Sequence, residues 1–333
     1  MNDKTAMNDK TVSIIGGAIA GPAAAYALAR QGCQVTVFEQ LMPEDLVSQQ
    51  ILGMDPHVWD IVRAAGLDPD SRSIPNVYHI YGTKGSYRSP YHYVPWLGWH
   101  DMLVQAGEAA GVRYEYGKHV RPSEATGDYV IDATGIAGAA RDKISFTYSG
   151  RVIYRGRSPL PVHGEFTVFQ DSVTAFAGGD DKQGECNWQL YATRPQPAQM
   201  RTVPATLPPE ADRLPPRLRQ IVQSTPAIVV TPLSFWSERP HMMQPCGRML
   251  MIGDVLGAIA PATTSGAALA VLEGLDAPVL LAGGPAAAEA ERACMKRREY
   301  VLELGATLSR PEIGGNHEDP QFVMHEQMIY GGL

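Results

Sequence analysis

Residues Thr11–Gln40 constrain this chain more than any other stretch. Val12-Ser-Ile-Ile15 is a short β-branched run, Gly16-Gly17 punctuates it, and Pro22-Ala-Ala-Ala-Tyr-Ala-Leu-Ala-Arg30 follows as a strong helix former. Proline costs nothing in a first turn, where its missing N–H has no intrahelical partner to lose. Gly32 stops the helix, and Gln34-Val-Thr-Val-Phe38 reads as a second buried strand. The spacing is Gly16-x-Ala18-x-x-Gly21, with Glu39 ending the second strand 18 residues after Gly21. In such a βαβ unit the first glycine permits a tight turn and the third lets the helix pack close on the sheet. The middle position lets the backbone approach a pyrophosphate at the helix N-terminus. Here that position is Ala18, whose methyl must point away from a pyrophosphate or push it outward. Glu39 is placed to accept hydrogen bonds from adenosine ribose hydroxyls. A dinucleotide-binding unit is expected, with NAD and FAD not distinguished; the bland alternative is a βαβ turn that binds nothing.

Two further glycine turns follow. Asp128-Tyr-Val-Ile-Asp132-Ala-Thr-Gly135 is a strand running into a turn. Gly247-Arg-Met-Leu-Met-Ile-Gly253-Asp254 is another, followed by Pro261 and by Gly266-Ala267-Ala at the start of an alanine-rich helix. A buried strand ending in Gly-Asp presents a carboxylate to sugar-like hydroxyls, and a second helix start offers amides and a positive dipole end. Either turn alone is commonplace in α/β chains. Together and in this order they imply a long ligand lying across one lobe.

Between these motifs the pattern changes period. From Ile144 to Thr193 apolar and polar residues alternate, the mark of an antiparallel sheet, and Asn76–Ser89 reads as a hairpin. Helices are expected at about Pro56–Ala65, Trp99–Ala110, Arg217–Gln223, Ser265–Leu281 with a break near Pro278, and Ala286–Leu308. The chain is therefore α/β: a Rossmann-like lobe over 11–75, 97–143 and 246–285, interleaved with an antiparallel β-sheet lobe over 76–96 and 144–245. A C-terminal helix (286–310) and a tail (311–333) complete it.

Composition narrows the class. With 28 Lys and Arg against 35 Asp and Glu the formal charge is −7, which excludes a general nucleic-acid binder, since that needs a basic footprint. No run reaches the roughly 18–20 apolar residues of a membrane helix. The N-terminus carries no apolar export segment, and the four cysteines lie far apart without a C-x-x-C pair. A cytoplasmic protein with reduced thiols and no metal centre is expected.

Gly16-x-Ala-x-x-Gly21 with Glu39, Asp132-Ala-Thr-Gly135 and Gly253-Asp254…Pro261…Gly266 resemble the single-component FAD-dependent aromatic hydroxylases of the para-hydroxybenzoate hydroxylase type. Asn187-Trp-Gln-Leu-Tyr191, Gly98-Trp99-His100 and Arg248-Met-Leu-Met-Ile-Gly-Asp254 are most similar to the 2,6-dihydroxypyridine hydroxylase-like branch. The resemblance spans about residues 11–285. It implies an FAD-binding lobe in which Gly16, Ala18, Gly21 and Glu39 hold the ADP half, with Asp132 and Gly135 in the middle turn. It also implies Gly253 and Asp254 at the ribityl–phosphate region, and Pro261, Gly266 and Ala267 beside the flavin ring. The sheet lobe would be the substrate lobe. The activity implied is a monooxygenase: NADH or NADPH reduces FAD, O2 forms a flavin C4a-hydroperoxide, and one oxygen atom enters a small aromatic or conjugated substrate. A homodimer is compatible with it.

The chain departs from the family pattern at Ala18, at Thr134 in the middle motif, and at Trp99-His100, where many members open a helix with arginine. It departs again at Val255-Leu256-Gly257 and at Thr264. These changes bear on the nicotinamide step more than on FAD. They keep open an FAD-binding oxidase, dehydrogenase or cyclase that does not itself use NAD(P)H, and a member without enzymatic role. No catalytic acid or base is identified; His100, His92 and Tyr91 are the weak candidates. Trp188 and Tyr191 are expected on opposite faces of one strand, one face core and the other open to substrate. Lys296-Arg-Arg298 is expected on a solvated, salt-bridged helix face, with Glu289, Glu291 and Glu299 nearby.

Overall fold

The computed structural model describes residues 7–46, 51–73, 77–80, 86–88, 92–137, 146–161, 164–170, 173–180, 185–199, 201–236, 241–244, 246–257 and 265–308. The first half holds β1 (Thr11–Ile15), α1 (Ala20–Ala29), β2 (Gln34–Phe38), β3 (Ile51–Met54), α2 (Pro56–Ala64), β4 (Val77–Ile80), β5 (Ser86–Arg88), β6 (His92–Pro95), α3 (Trp96–Ala109), β7 (Arg113–Glu115) and β8 (Tyr129–Asp132). Then come β9 (Phe146–Ser158), β10 (Gly164–Gln170), β11 (Val173–Asp180), β12 (Glu185–Thr193), β13 (Val203–Ala205), α4 (Pro216–Gln223) and β14 (Ile228–Trp236). The chain closes with β15 (Met249–Met251), α5 (Gly266–Ala282) and α6 (Gly284–Leu308).

The two periodicities of the sequence become two sheets. The strands that read as short buried runs form a five-stranded parallel sheet in the order β15-β8-β1-β2-β7. The alternating strands form an eight-stranded sheet, β13-β14-β9-β12-β11-β10-β4-β5, antiparallel except between β10 and β4. The chain leaves β1 toward β2 on one side and later fills β8 on the other. That makes the carboxyl ends of β1 and β8 the switch point where α/β sheets bind ligands.

Each sheet has its own core. Helices α1, α3 and α5 cover the parallel sheet with Ala23, Ala24, Leu28, Leu103, Leu269 and Val271, all buried. In the other sheet Trp188, Leu190 and Val152 pack on Leu218, Ile221 and Val222 of α4. Trp188 is fully buried and its indole N–H donates to Thr225 Oγ1 at 2.7 Å.

Three expectations change. Residues 92–95, expected in the sheet lobe, form β6, which pairs antiparallel with β3 as a separate ribbon. Val94 and Met54 of that ribbon are fully buried in the core of the parallel sheet. Helix α5 continues through Pro278 without a break. Proline removes one helical hydrogen bond there, but most of α5 is buried, and tertiary packing keeps it one helix through the loss. The basic run on α6 is not a solvated face: Arg298 is 1% exposed and Arg297 8%. Arg298 shares its stripe with Cys294 and Val301, both fully buried, at i−4 and i+3.

Candidate cofactor and substrate site

Three turns meet at the carboxyl edge of the parallel sheet. The first is Gly16-Gly17, between β1 and α1. Gly16 has φ +107°, and a Cβ there would stand 2.3 Å from the Ala133 carbonyl oxygen. A Cβ at Gly21 would stand 1.9 Å from the Gly16 carbonyl oxygen. Both glycines are thus required by close backbone approach. Ala18 is exposed rather than packed into the fold. The residue before α1 is Ile19, which offers no side-chain cap, so the first-turn amides remain without a capping partner.

Glu39 is 7% exposed and lies under this turn. One carboxylate oxygen accepts from Gly17 N–H at 2.7 Å and the other from Leu41 N–H at 2.9 Å. The carboxylate is therefore fixed in place, with lone pairs left for further donors. His100 on α3 closes the turn from the other side: its Nε2 lies 3.0 Å from the Gly17 carbonyl oxygen, which makes Nε2–H the donor. The ring is 5% exposed and stacks on Trp96 at 5.1 Å. A cleft of about 300 Å³ opens beside His100, with walls that include Leu46, Leu97, Val104, Glu108 and Tyr116. The Tyr116 hydroxyl is held above its ordinary pKa by burial and then by the Glu108, Glu39 and Asp101 carboxylates.

The second turn follows β8. Asp132 is 1% exposed, and its Oδ1 accepts from Thr134 N–H at 3.1 Å and from Thr134 Oγ1 at 2.5 Å. Burial raises its pKa, and the Thr134 hydrogen bonds counter that rise. Its carboxylate therefore braces the turn that ends in Gly135, at φ +69°.

The third turn, Gly253–Gly257, presents Asp254 to solvent while its backbone is gripped from behind. Gly253 N–H donates to Glu273 Oε2 at 2.8 Å; Arg298 Nη2 donates to the Gly253 carbonyl at 2.7 Å and Nη1 to the Gly257 carbonyl at 3.0 Å. Arg298 also pairs with Glu273 in bidentate fashion, at 2.5 and 2.9 Å, with both side chains 1% exposed. Asp254 itself is exposed; the protein around it raises its pKa and the Arg298 charge behind the turn lowers it. Nearby, Gly266 and Ala267 open α5, again without a side-chain cap.

The structure thus brings Gly16, Ala18, Gly21, Glu39, Asp132, Gly135, Gly253, Asp254, Gly266 and Ala267 to the three turns and the two helix starts beside them. Pro261, Thr264 and Tyr91 lie outside the described residues. Of the acid–base candidates, His100 belongs to the glycine turn. His92 stacks on Trp59 at 4.4 Å in the ribbon, and burial, then Arg63, lowers its pKa. Glu273, Arg298 and the role of His100 escaped the sequence reading. The i, i+4 placement of Arg298 after Cys294 was the available signal. Among the described residues no cluster of metal-ligating side chains occurs, and no helix is long and apolar enough to cross a membrane.

A family model described as an NAD(P)-binding Rossmann-like domain matches residues 14–41. No curated protein sequence matches the chain. Solved structures resemble nearly all of it. CtdE in complex with FAD and substrate 4 aligns with a TM-score of 0.73 at 18% identity, over 97% of each chain. The 2,6-dihydroxypyridine-3-hydroxylase from Arthrobacter nicotinovorans aligns at 0.73 and 19%, over 95% of this chain and 96% of that one. A salicylate hydroxylase substrate complex aligns at 0.68 and 15%, over 97% and 94%. The fold is that of the FAD-dependent aromatic hydroxylases, as the order of the motifs implied.

Proposed function

We propose that this chain is an FAD-dependent monooxygenase that inserts one oxygen atom from O2 into a small aromatic or conjugated substrate. The observation that carries the reading is the first turn. Gly16 and Gly21 have no room for side chains, the α1 start is uncapped, and Glu39 is held beneath it by two amides. An anion with a neighbouring diol, the pyrophosphate and ribose of a dinucleotide, matches that donor and acceptor set. Bound FAD would supply the oxygen chemistry, with NADH or NADPH as electron donor. The protein's part is to bind and orient. The α1 amides would meet the pyrophosphate, Glu39 would accept from the ribose hydroxyls, and His100 would fix the Gly17 carbonyl. Asp254 would accept from the ribityl chain on a turn that Arg298 and Glu273 hold still.

A second reading is an FAD-binding oxidase, dehydrogenase or cyclase that does not itself use NAD(P)H. The Asp132 carboxylate favours it, because it is closed onto Thr134 rather than presented to the cleft. Purified protein separates these readings. FAD should bind and give the purified protein a flavin absorbance spectrum, with Glu39→Ala and Asp254→Ala each weakening retention about tenfold or more. Unchanged affinity in both variants refutes the site. Anaerobic NADH or NADPH should bleach the bound flavin; flavin that stays oxidised with both donors supports the second reading.

A further inference from the structure

His100 faces an acceptor with each of its ring nitrogens. Nε2 lies 3.0 Å from the Gly17 carbonyl oxygen, and Nδ1 lies 3.3 Å from Asp101 Oδ1. A neutral imidazole carries one N–H and one lone pair and satisfies one of the two; the imidazolium donates to both. With Nε2–H given to Gly17, a neutral ring turns its Nδ1 lone pair onto a carboxylate. The ring is held in this arrangement, with its side chain 7% exposed and its plane within 8° of the Trp96 ring on which it stacks.

The charged surroundings favour the cation as well. Asp101 and Glu108 line the cleft with His100, as does the Tyr116 hydroxyl, kept neutral by burial and by the nearby carboxylates. Glu39 lies beneath the turn. Against them stands Arg72, which reaches the same helix with Nη2 3.5 Å from Gln105 Oε1. Asp101, Glu108 and Glu39 outweigh that one guanidinium, and a nearby negative charge favours a protonated imidazole.

What the ring holds is the pivot of the first turn. Gly17 gives its N–H to Glu39 Oε2 at 2.7 Å and its carbonyl to His100, so residue 17 is tied at both ends. In a trans peptide the following N–H points opposite to the carbonyl, so the Ala18 amide is directed away from His100. Releasing the carbonyl frees a glycine peptide to rotate, and with it the Ala18 amide and the seat of Glu39. A diphosphate arriving at the α1 start adds negative charge beside the ring and favours the imidazolium further.

We infer that His100 and Asp101 form a proton-linked clamp on this turn, so that binding of a dinucleotide diphosphate there takes up a proton. The inference rests on the dinucleotide reading of the turn and not on flavin. His100 is a positioning residue, acting through Gly17. Binding is tightest at the acid end of about pH 5–8, the range in which histidine changes charge, and weakens as pH rises.

The test is calorimetric titration of flavin-free, full-length protein with FAD and with ADP-ribose, whose diphosphates keep their charge over this range. Both should bind about threefold or more tightly at pH 6 than at pH 8, with proton uptake revealed by buffers of different ionisation heat. His100→Gln, whose amide N–H still reaches toward Gly17 but does not titrate, should change by less than about twofold between the two. Asp101→Asn should displace the fall in affinity to lower pH. Ring-nitrogen NMR of the flavin-free protein reads the clamp directly. The signal missing from His100→Gln should gain a proton on Nδ1 as pH falls, with the Nε2 proton present throughout.

A histidine with a purely structural role leaves affinity flat. Equal affinity at pH 6 and pH 8, a pH dependence that survives in His100→Gln, or a singly protonated His100 down to pH 5 each overturns the inference. Protein that takes ADP-ribose with this pH dependence and takes no FAD refutes the flavoprotein reading and keeps this one. FAD bound without pH dependence does the reverse, and protein that binds neither refutes both.

Discussion

Arg298→Met is the substitution whose consequence the structure sets most firmly. The guanidinium makes four hydrogen bonds, two to Glu273 and one each to the carbonyls of Gly253 and Gly257. Methionine fills most of the volume and makes none of them. Glu273, 1% exposed, would keep only the Gly253 N–H among the described residues. Breaking a buried pair from one side costs about 3–5 kcal/mol, because the remaining charge is stranded. Unfolding entropy is about 2.1 cal/mol/K per residue, or roughly 0.7 kcal/mol/K for this chain length, so the loss corresponds to about 4–7 °C in Tm. Differential scanning fluorimetry resolves that shift. The decisive arm is the double variant Arg298→Met, Glu273→Leu, which removes the stranded charge and should recover at least half of the lost stability. FAD affinity should fall in the single variant and stay low in the double, since neither restores the grip on the Gly253 and Gly257 carbonyls. A single variant melting within about 1 °C of the parent, or a double no better than the single, refutes the reasoning.

Two other predictions concern residues away from the cofactor turns. Glu210 is held below the usual glutamate range, first by its hydrogen bonds to Arg194. A depressed folded-state pKa means stability present above the ordinary value near 4.3 and lost as pH falls through the folded value. The pair is only part-buried, at 28% and 20% exposure, so Glu210→Gln should remove about 1 kcal/mol at pH 7 and flatten the acid limb of a Tm-against-pH profile. An unchanged acid limb in the variant counts against it. Among the thiols, Cys246 is exposed and lowered by amide hydrogen bonds from Arg248 and Met249. Burial pushes Cys33 up to about 11 and Cys294 up to about 12, and Cys186 is fully buried. A disulfide reagent should therefore titrate one thiol in folded protein and four in denaturant, with Cys246→Ser losing the fast one.

How far each of these features was legible depends on the range of the interaction that creates it. The sequence by itself determined the opening βαβ unit, the three glycine turns and their order, and the change of hydrophobic period that separates the parallel from the antiparallel sheet. Those are local properties. A turn needs its glycine, a helix its stop, and a strand its alternation within a few residues. The opposite faces of Trp188 and Tyr191 followed from the same two-residue period, and the register bears this out.

Only the tertiary structure decided what the charged side chains do. Arg298 looked like one of three basic residues on a solvated helix, and became internal because Glu273, 25 positions earlier, faces it across two helices. His100 was a weak candidate for a catalytic acid or base, and its ring is committed to a carbonyl 83 positions away. Arg155 was one polar residue in an alternating strand, and its guanidinium meets the Thr231 hydroxyl 76 positions on. The ribbon of β3 and β6 was likewise missed, because its pairing joins residues about 40 positions apart. The physical reason is the same in each case. A side chain's periodicity says which way it points, whereas the worth of a charge depends on its desolvation and its partner, and both are assembled by the fold.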